Sequence, residues 1–149
     1  MTLFDQISED IKAAMKAHEK VRLETLRNIK KVFLEAKTAP GANDTLADAD
    51  ALKIISKLAK QGKETAVTYT QAGRQDLADT ELAQVEVLEG YLPKQLTPEE
   101  VEEEVKKIMA TVGATSMREM GKVMGIASKQ LAGKADGRFI SEIVKKLLQ

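Results

Sequence analysis

The side chains that could do chemistry in this chain are few, and most of them are cations. His18 is its only histidine and cysteine is absent, which excludes thiolate nucleophiles, zinc–thiolate sites and disulfides. A general base needs an orienting partner, and His18 stands in Lys16-Ala17-His18-Glu19-Lys20, the kind of run that ends a solvated helix. What remains is serine or threonine with lysine. Ser128-Lys129 and Ser141 are available, but adjacent side chains on a helix point apart. No catalytic set emerges.

The acidic run Glu99-Glu100-Val101-Glu102-Glu103-Glu104 could hold a hard cation loosely, but it reads more simply as a first helical turn favoured by the helix dipole. Neither GxxxxGK[ST] nor GxGxxG occurs, so there is no phosphate cradle of either kind. No metal or cofactor is expected.

The cations are unevenly placed. From Val105 to the end, Lys106, Lys107, Arg118, Lys122, Lys129, Lys134, Arg138, Lys145 and Lys146 face only Glu119, Asp136 and Glu142, leaving this stretch at +6. The glutamate run before it hides the imbalance in a total net charge of zero. Arg118, Lys122, Gly125 and Lys129 share one helical face. Lysine and arginine beside small residues are what a phosphate-contacting surface needs; a solvated helix face is the plainer alternative. Gly121 and Gly125 form a GxxxG pair, which in a soluble helix usually marks close packing and otherwise allows a ligand backbone to approach.

The elements that must position these residues are helices, since apolar spacing of three and four dominates and no segment alternates as a strand does. Phe4, Ile7, Ile11 and Ala14 follow Thr2 as N-cap; Leu26, Ile29, Phe33 and Ala36 make a second helix, ended by Pro40-Gly41. Leu52, Ile55, Ala59, Gly62, Ala66, Tyr69 and Gly73 trace a long seam whose small members would admit a close neighbour. Asp76 is placed to cap a fourth helix bearing Ala78, Leu82, Val85 and Leu88. Gly90 to Pro98 holds two prolines and a glycine and reads as a linker. Thr97-Pro98-Glu99-Glu100 is a complete helix start, with Val101, Val105, Ile108 and Val112 buried behind it and Gly113 as its stop. Met117, Met120, Met124, Ala127 and Leu131 then recur at helical spacing, and Ile140, Ile143, Val144 and Leu147 mark a last helix. The expectation is an all-α chain: a four-helix unit over 1–92 and a small three-helix tail over 97–149.

Composition agrees with that class. Hydrophobic residues at 43% can fill a core, and aromatics at 3% leave it to aliphatic side chains and methionine. No apolar run approaches the ~18 residues of a membrane span. The start Met1-Thr2-Leu3-Phe4-Asp5 lacks a signal peptide's basic flank, so a cytoplasmic protein is expected.

Several separate segments resemble the YqeY-like proteins (GatB/YqeY family). They are Arg22-Leu23-Glu24-Thr25-Leu26-Arg27, Lys60-Gln61-Gly62-Lys63-Glu64-Thr65, Tyr69 with Ala72-Gly73-Arg74-Gln75-Asp76-Leu77-Ala78, Glu81, and Tyr91-Leu92-Pro93. Met120-Gly121-Lys122-Val123-Met124 and Gly133-Lys134-Ala135-Asp136-Gly137-Arg138 continue the match. The last third is also similar to the tail domain of the B subunit of glutamine-dependent aspartyl/glutamyl-tRNA amidotransferase, although Asp136-Gly137 stands where that tail commonly has Asn-Pro. This resemblance implies a helical domain that contacts tRNA away from any catalytic centre. Carried over by position, it marks Lys122, Lys129, Lys134, Arg138 and Lys145, with Gly121 and Gly133 allowing close approach; Arg118 and Gly125 join them from the shared face. Arg27 and Arg74 match in the first half, as ion-pair members or as a second surface.

The expected function is therefore a non-catalytic accessory protein that binds tRNA or a tRNA-handling enzyme. One alternative is an adaptor docking an aminoacyl-tRNA synthetase or amidotransferase subunit through the seam around Gly62 and Ala66. Another, by family association alone, is carbon–nitrogen ligase activity with glutamine as amide donor.

Overall fold

The computed structural model describes residues 1–149 as seven α-helices with no strand. Two compact units divide the chain between Leu92 and Pro93. The first contains α1 (Leu3–Lys16), α2 (Lys20–Lys37), α3 (Asp48–Gln71) and α4 (Gln75–Glu89). The second contains α5 (Pro98–Val112), a single 3₁₀ turn (Met117–Glu119), α6 (Met120–Gln130) and α7 (Gly137–Leu148).

In the first unit, α1 begins on a reciprocal cap. The Thr2 hydroxyl accepts from the Asp5 amide, and the Asp5 carboxylate accepts from the Thr2 amide, both at 3.1 Å. These bonds hold Asp5 below the usual carboxylate range because they favour its ionised form. Ile7 and Ala14 face the core, where they meet Leu26, Ile29 and Phe33 of α2 and Ile55 of α3. Thr25 is the one buried polar residue, and its hydroxyl donates to the Val21 carbonyl at 2.8 Å, so no polar atom is stranded.

The seam of α3 is covered by α4. A Cβ built on Gly62 would lie 2.6 Å from Val85 Cγ2; the missing side chain is what lets the two helices close. Gly73, at φ +76, turns the chain between them. Two expectations fail here. Asp76 lies inside the first turn of α4 and not at its N-cap, which is Arg74, and its carboxylate takes a forked pair of bonds from Arg74 at 3.1 and 3.0 Å; this arginine's partner is local. Leu82 is 45% exposed, because the half-buried Glu81 occupies the neighbouring position against Gly62.

The C-terminal end of the unit is fastened by Tyr91. Its hydroxyl donates to Asp10 Oδ2 at 2.5 Å and accepts from Arg22 Nη2 at 3.2 Å. Burial first, then the bond to Asp10, push this phenol well above its ordinary pKa. Tyr91 and Leu92 thus pack on the first core, and Leu96 packs on the second, so the proline-rich stretch is largely taken up by the two units.

The second unit starts α5 as its sequence signals: Thr97 and Glu100 cap each other, Pro98 opens the helix and Gly113 closes it at φ +70. Val101, Val105 and Ile108 meet Val123, Ala127 and Leu131, and Ile140, Val144 and Leu148 of α7 complete the core. The methionine stripe is buried only at its far end. Ala127 and Leu131 lie in the core as expected, but Met120 and Met124 only flank it and Met117, in the 3₁₀ turn that precedes α6, is exposed. Val123 takes the buried place at the start of α6.

Gly62→Leu is expected to lower stability by about 2 kcal/mol through overpacking against Val85, read from chemical denaturation. Asp5, Glu100 and Glu119 are all held below their ordinary pKa by capping bonds. Their contribution is complete above the unfolded-state value of roughly 4 and disappears as pH falls through the lower folded-state values. Thermal midpoints measured downward from pH 6 should therefore drop across the carboxylate range.

Candidate nucleic-acid interface

The candidate surface is built on α6, and its start is set by a cap that the sequence spells as Ser116-Met117-Arg118-Glu119. Glu119 Oε2 accepts from the Ser116 amide at 2.9 Å, from its hydroxyl at 3.0 Å and from the Thr115 amide at 3.3 Å. These bonds hold the carboxylate below its usual range. The nearest acidic group in sequence to Arg118 and Lys122 is thereby committed to backbone and hydroxyl donors. The same S-x-x-E signature that marks other helix starts could have found this cap.

Each helical residue turns by about 100°. With Val123 and Ala127 buried, positions 121, 122, 125 and 129 fall on the opposite side of α6, Arg118 lies in the 3₁₀ turn just before it, and all five residues are exposed. Arg118, Lys122 and Lys129 enter no salt bridge, whereas Lys106 and Lys107 are tied to Glu102 and Glu104 within α5 at 3.4 Å each. The glutamate-rich helix therefore neutralises its own lysines and leaves those of α6 alone.

Gly121 and Gly125 lie between these cations, and a Cβ on either would meet nothing within 4 Å. The expected close helix packing at this GxxxG is absent; both glycines face outward. An exposed glycine in a helix lowers its stability relative to alanine by up to about 1 kcal/mol, and here no packing contact offsets that. The result is a flat strip of backbone bordered by positive charge.

The remaining candidates divide. Arg138 in the first turn of α7 and Lys145 in its last are exposed and sit seven positions apart on the helix's outer side. Lys134 is exposed in the turn between α6 and α7. Gly133 differs from the other glycines: it is buried at φ +74. Its carbonyl accepts from Gln95 Nε2 at 2.5 Å, while the Lys134 carbonyl accepts from the Leu96 amide at 2.9 Å. Gly133 serves the turn that fastens residues 95–96, and its burial keeps it from a ligand. His18 is exposed at φ 57 between α1 and α2. Arg27 is exposed on α2, beside Lys30, Lys31 and Leu34 in a shallow hollow.

Residues 4–148 match the family described as Yqey-like protein. The chain is also similar to Altered inheritance of mitochondria protein 41, mitochondrial, of Pyrenophora tritici-repentis. The two are 27% identical over 146 residues, spanning 96% of this chain and 79% of that protein. No helix is long and apolar enough to cross a membrane.

Gly121→Ala and Gly125→Ala should each raise the stability of the protein, by up to about 1 kcal/mol. Denaturant midpoints of the two variants against the parent check this; a fall in either would mean that the glycine is needed for the fold.

Proposed function

Because the chain belongs to the Yqey-like family, we propose that it is a non-catalytic accessory protein that binds tRNA through the outer face of α6. The observation that carries this reading is the pairing of unneutralised Arg118, Lys122 and Lys129 with two glycines that the fold does not use. Cations without internal partners can replace counterions along a phosphate backbone. Glycines without packing neighbours let that backbone come close to the helix. Arg138 and Lys145 extend the cationic surface along α7. Similarity of this last third to the tail of the tRNA-dependent amidotransferase B subunit is part of the proposal and supplies tRNA as the nucleic acid.

The Gly62–Ala66 seam is covered by α4, so a protein-binding adaptor would use another face of the α3–α4 pair. Glutamine-dependent ligation has no nucleophile or nucleotide-binding motif to support it. Release of ammonia from glutamine by the purified chain would restore it. We place the protein in an aqueous compartment, either the cytoplasm or, following the fungal relative's name, the mitochondrion.

The test is tRNA binding by the full chain at several salt concentrations. Affinity should fall with a log–log slope of roughly −0.7 to −0.9 for each phosphate neutralised. Replacing Lys122, Lys129 and Arg138 together by alanine should make that slope shallower by about 2 while leaving the thermal midpoint nearly unchanged. Absence of saturable binding at low salt would sink the proposal.

A further inference from the structure

The first unit carries a second exposed feature, on the side of the α3–α4 hairpin. Along α3, Lys63, Val67 and Thr70 recur at spacings of four and three, so they share one face. Along α4, Gln75, Leu82 and Glu89 recur at seven and also share one. Two polar contacts fix the register between these faces. The Thr70 hydroxyl donates to Gln75 Oε1 at 3.3 Å, and Lys63 Nζ pairs with Glu89 Oε1 at 3.2 Å. Val67 and Leu82 occupy the level between these two rungs, 56% and 45% exposed.

Scattered exposed aliphatic residues need no explanation. Here, however, the register sets two of them side by side across a helix pair, between polar rungs that hold the pair in line. Ala66 and Ala78 beneath them are buried but lie outside the main core of the unit, so this part of the hairpin is closed by its own seam and leaves its side open.

Charge selects the occupant. Helix α4 contains Asp76, Asp79, Glu81, Glu86 and Glu89 and no lysine or arginine. Asp79 and Glu86 continue the stripe of Gln75, Leu82 and Glu89 at spacings of four and three. Asp79 accepts from Gln75 Nε2 at 2.8 Å, and Glu86 is exposed without an ion-pair partner. Lys60 and Lys63 stand on the α3 side, and Asp76 and Glu89 are paired with Arg74 and Lys63, so the selectivity rests on Asp79 and Glu86 beside Leu82, which favour a cationic over an anionic partner. We infer that the side of the α3–α4 hairpin docks a basic amphipathic helix of a partner protein. Its apolar residues, three and four apart, seat on Val67 and Leu82, and its lysines or arginines lie along α4.

The residues of this surface belong to the first unit and those of the α6 face to the second, so the two readings can be tested by different substitutions. The experiment titrates the full chain with a synthetic helical peptide that has leucines at three–four spacing and lysines elsewhere, and with its glutamate counterpart. Saturable binding of the lysine peptide alone is expected, weakened at least tenfold by Val67→Ser with Leu82→Ser. It should also weaken severalfold with Asp79→Asn and Glu86→Gln, and be unchanged by Lys122→Ala with Lys129→Ala. All of these positions are exposed, and a circular dichroism melt verifies that each variant folds. Equal binding by the parent and the Val67/Leu82 variant would reduce the effect to general charge attraction and overturn the inference. Sedimentation of the chain alone is the other arm: a dimer dissolved by the same two substitutions would assign the surface to a second copy and also overturn it.

Discussion

The closure of α3 on α4 depends on residue 62 having no side chain. With Val85 Cγ2 only 2.6 Å from where a Cβ would stand, the Val85 side chain occupies the space that a side chain at 62 would take. Ala59 and Ala66 continue the same small-residue line. That closure aligns the polar rungs, gives α4 its position against the core, and carries the chain to Tyr91, where Asp10 and Arg22 secure it. The second unit has no such contact. It rests on aliphatic packing among three short helices, each started by a cap or proline or fastened by its turns, as a core of this size requires.

The helical elements were legible because their start signals are local. Thr2 as N-cap and Thr97-Pro98 with Glu100 need only residues within one turn in sequence, and both form as read, with Asp5 completing the first cap. Choices of rotational phase were harder to read. In α6, Ala127 and Leu131 are reached both by the line through Met120 and Met124 and by the line through Val123, so spacing alone does not say which of the earlier residues is buried. What separates them is the 3₁₀ turn that delays the helix, visible only once the Ser116–Glu119 cap is recognised. Likewise Leu82 and Glu81 are both compatible with the spacing of α4, and hydropathy alone favours leucine, whereas the close approach at Gly62 sets the side chain beside it.

The candidate site was legible as composition and not as geometry. An excess of cations after residue 105 can be counted, but which of them are neutralised depends on contacts. Lys106 and Lys107 are paired within α5, and Arg118 and Lys122 are not. Glycine is the sharpest case. Gly62, Gly121 and Gly133 look alike on paper, yet one admits a neighbouring helix, one faces water and one is buried in a turn. Helix neighbours decide among these, and they are not encoded in spacing.

Tyr91 has a further consequence for anyone following this molecule by light. Tryptophan is absent, and both tyrosines, Tyr69 and Tyr91, belong to the first unit, leaving the second with Phe139 as its only aromatic side chain. Near-ultraviolet absorbance and intrinsic emission are consequently dominated by the first unit. A phenol donating to a carboxylate is a quenched emitter whose yield rises when that bond opens. The optical signal of unfolding therefore comes from one half of the chain, and the half that bears the exposed α6 glycines is nearly silent.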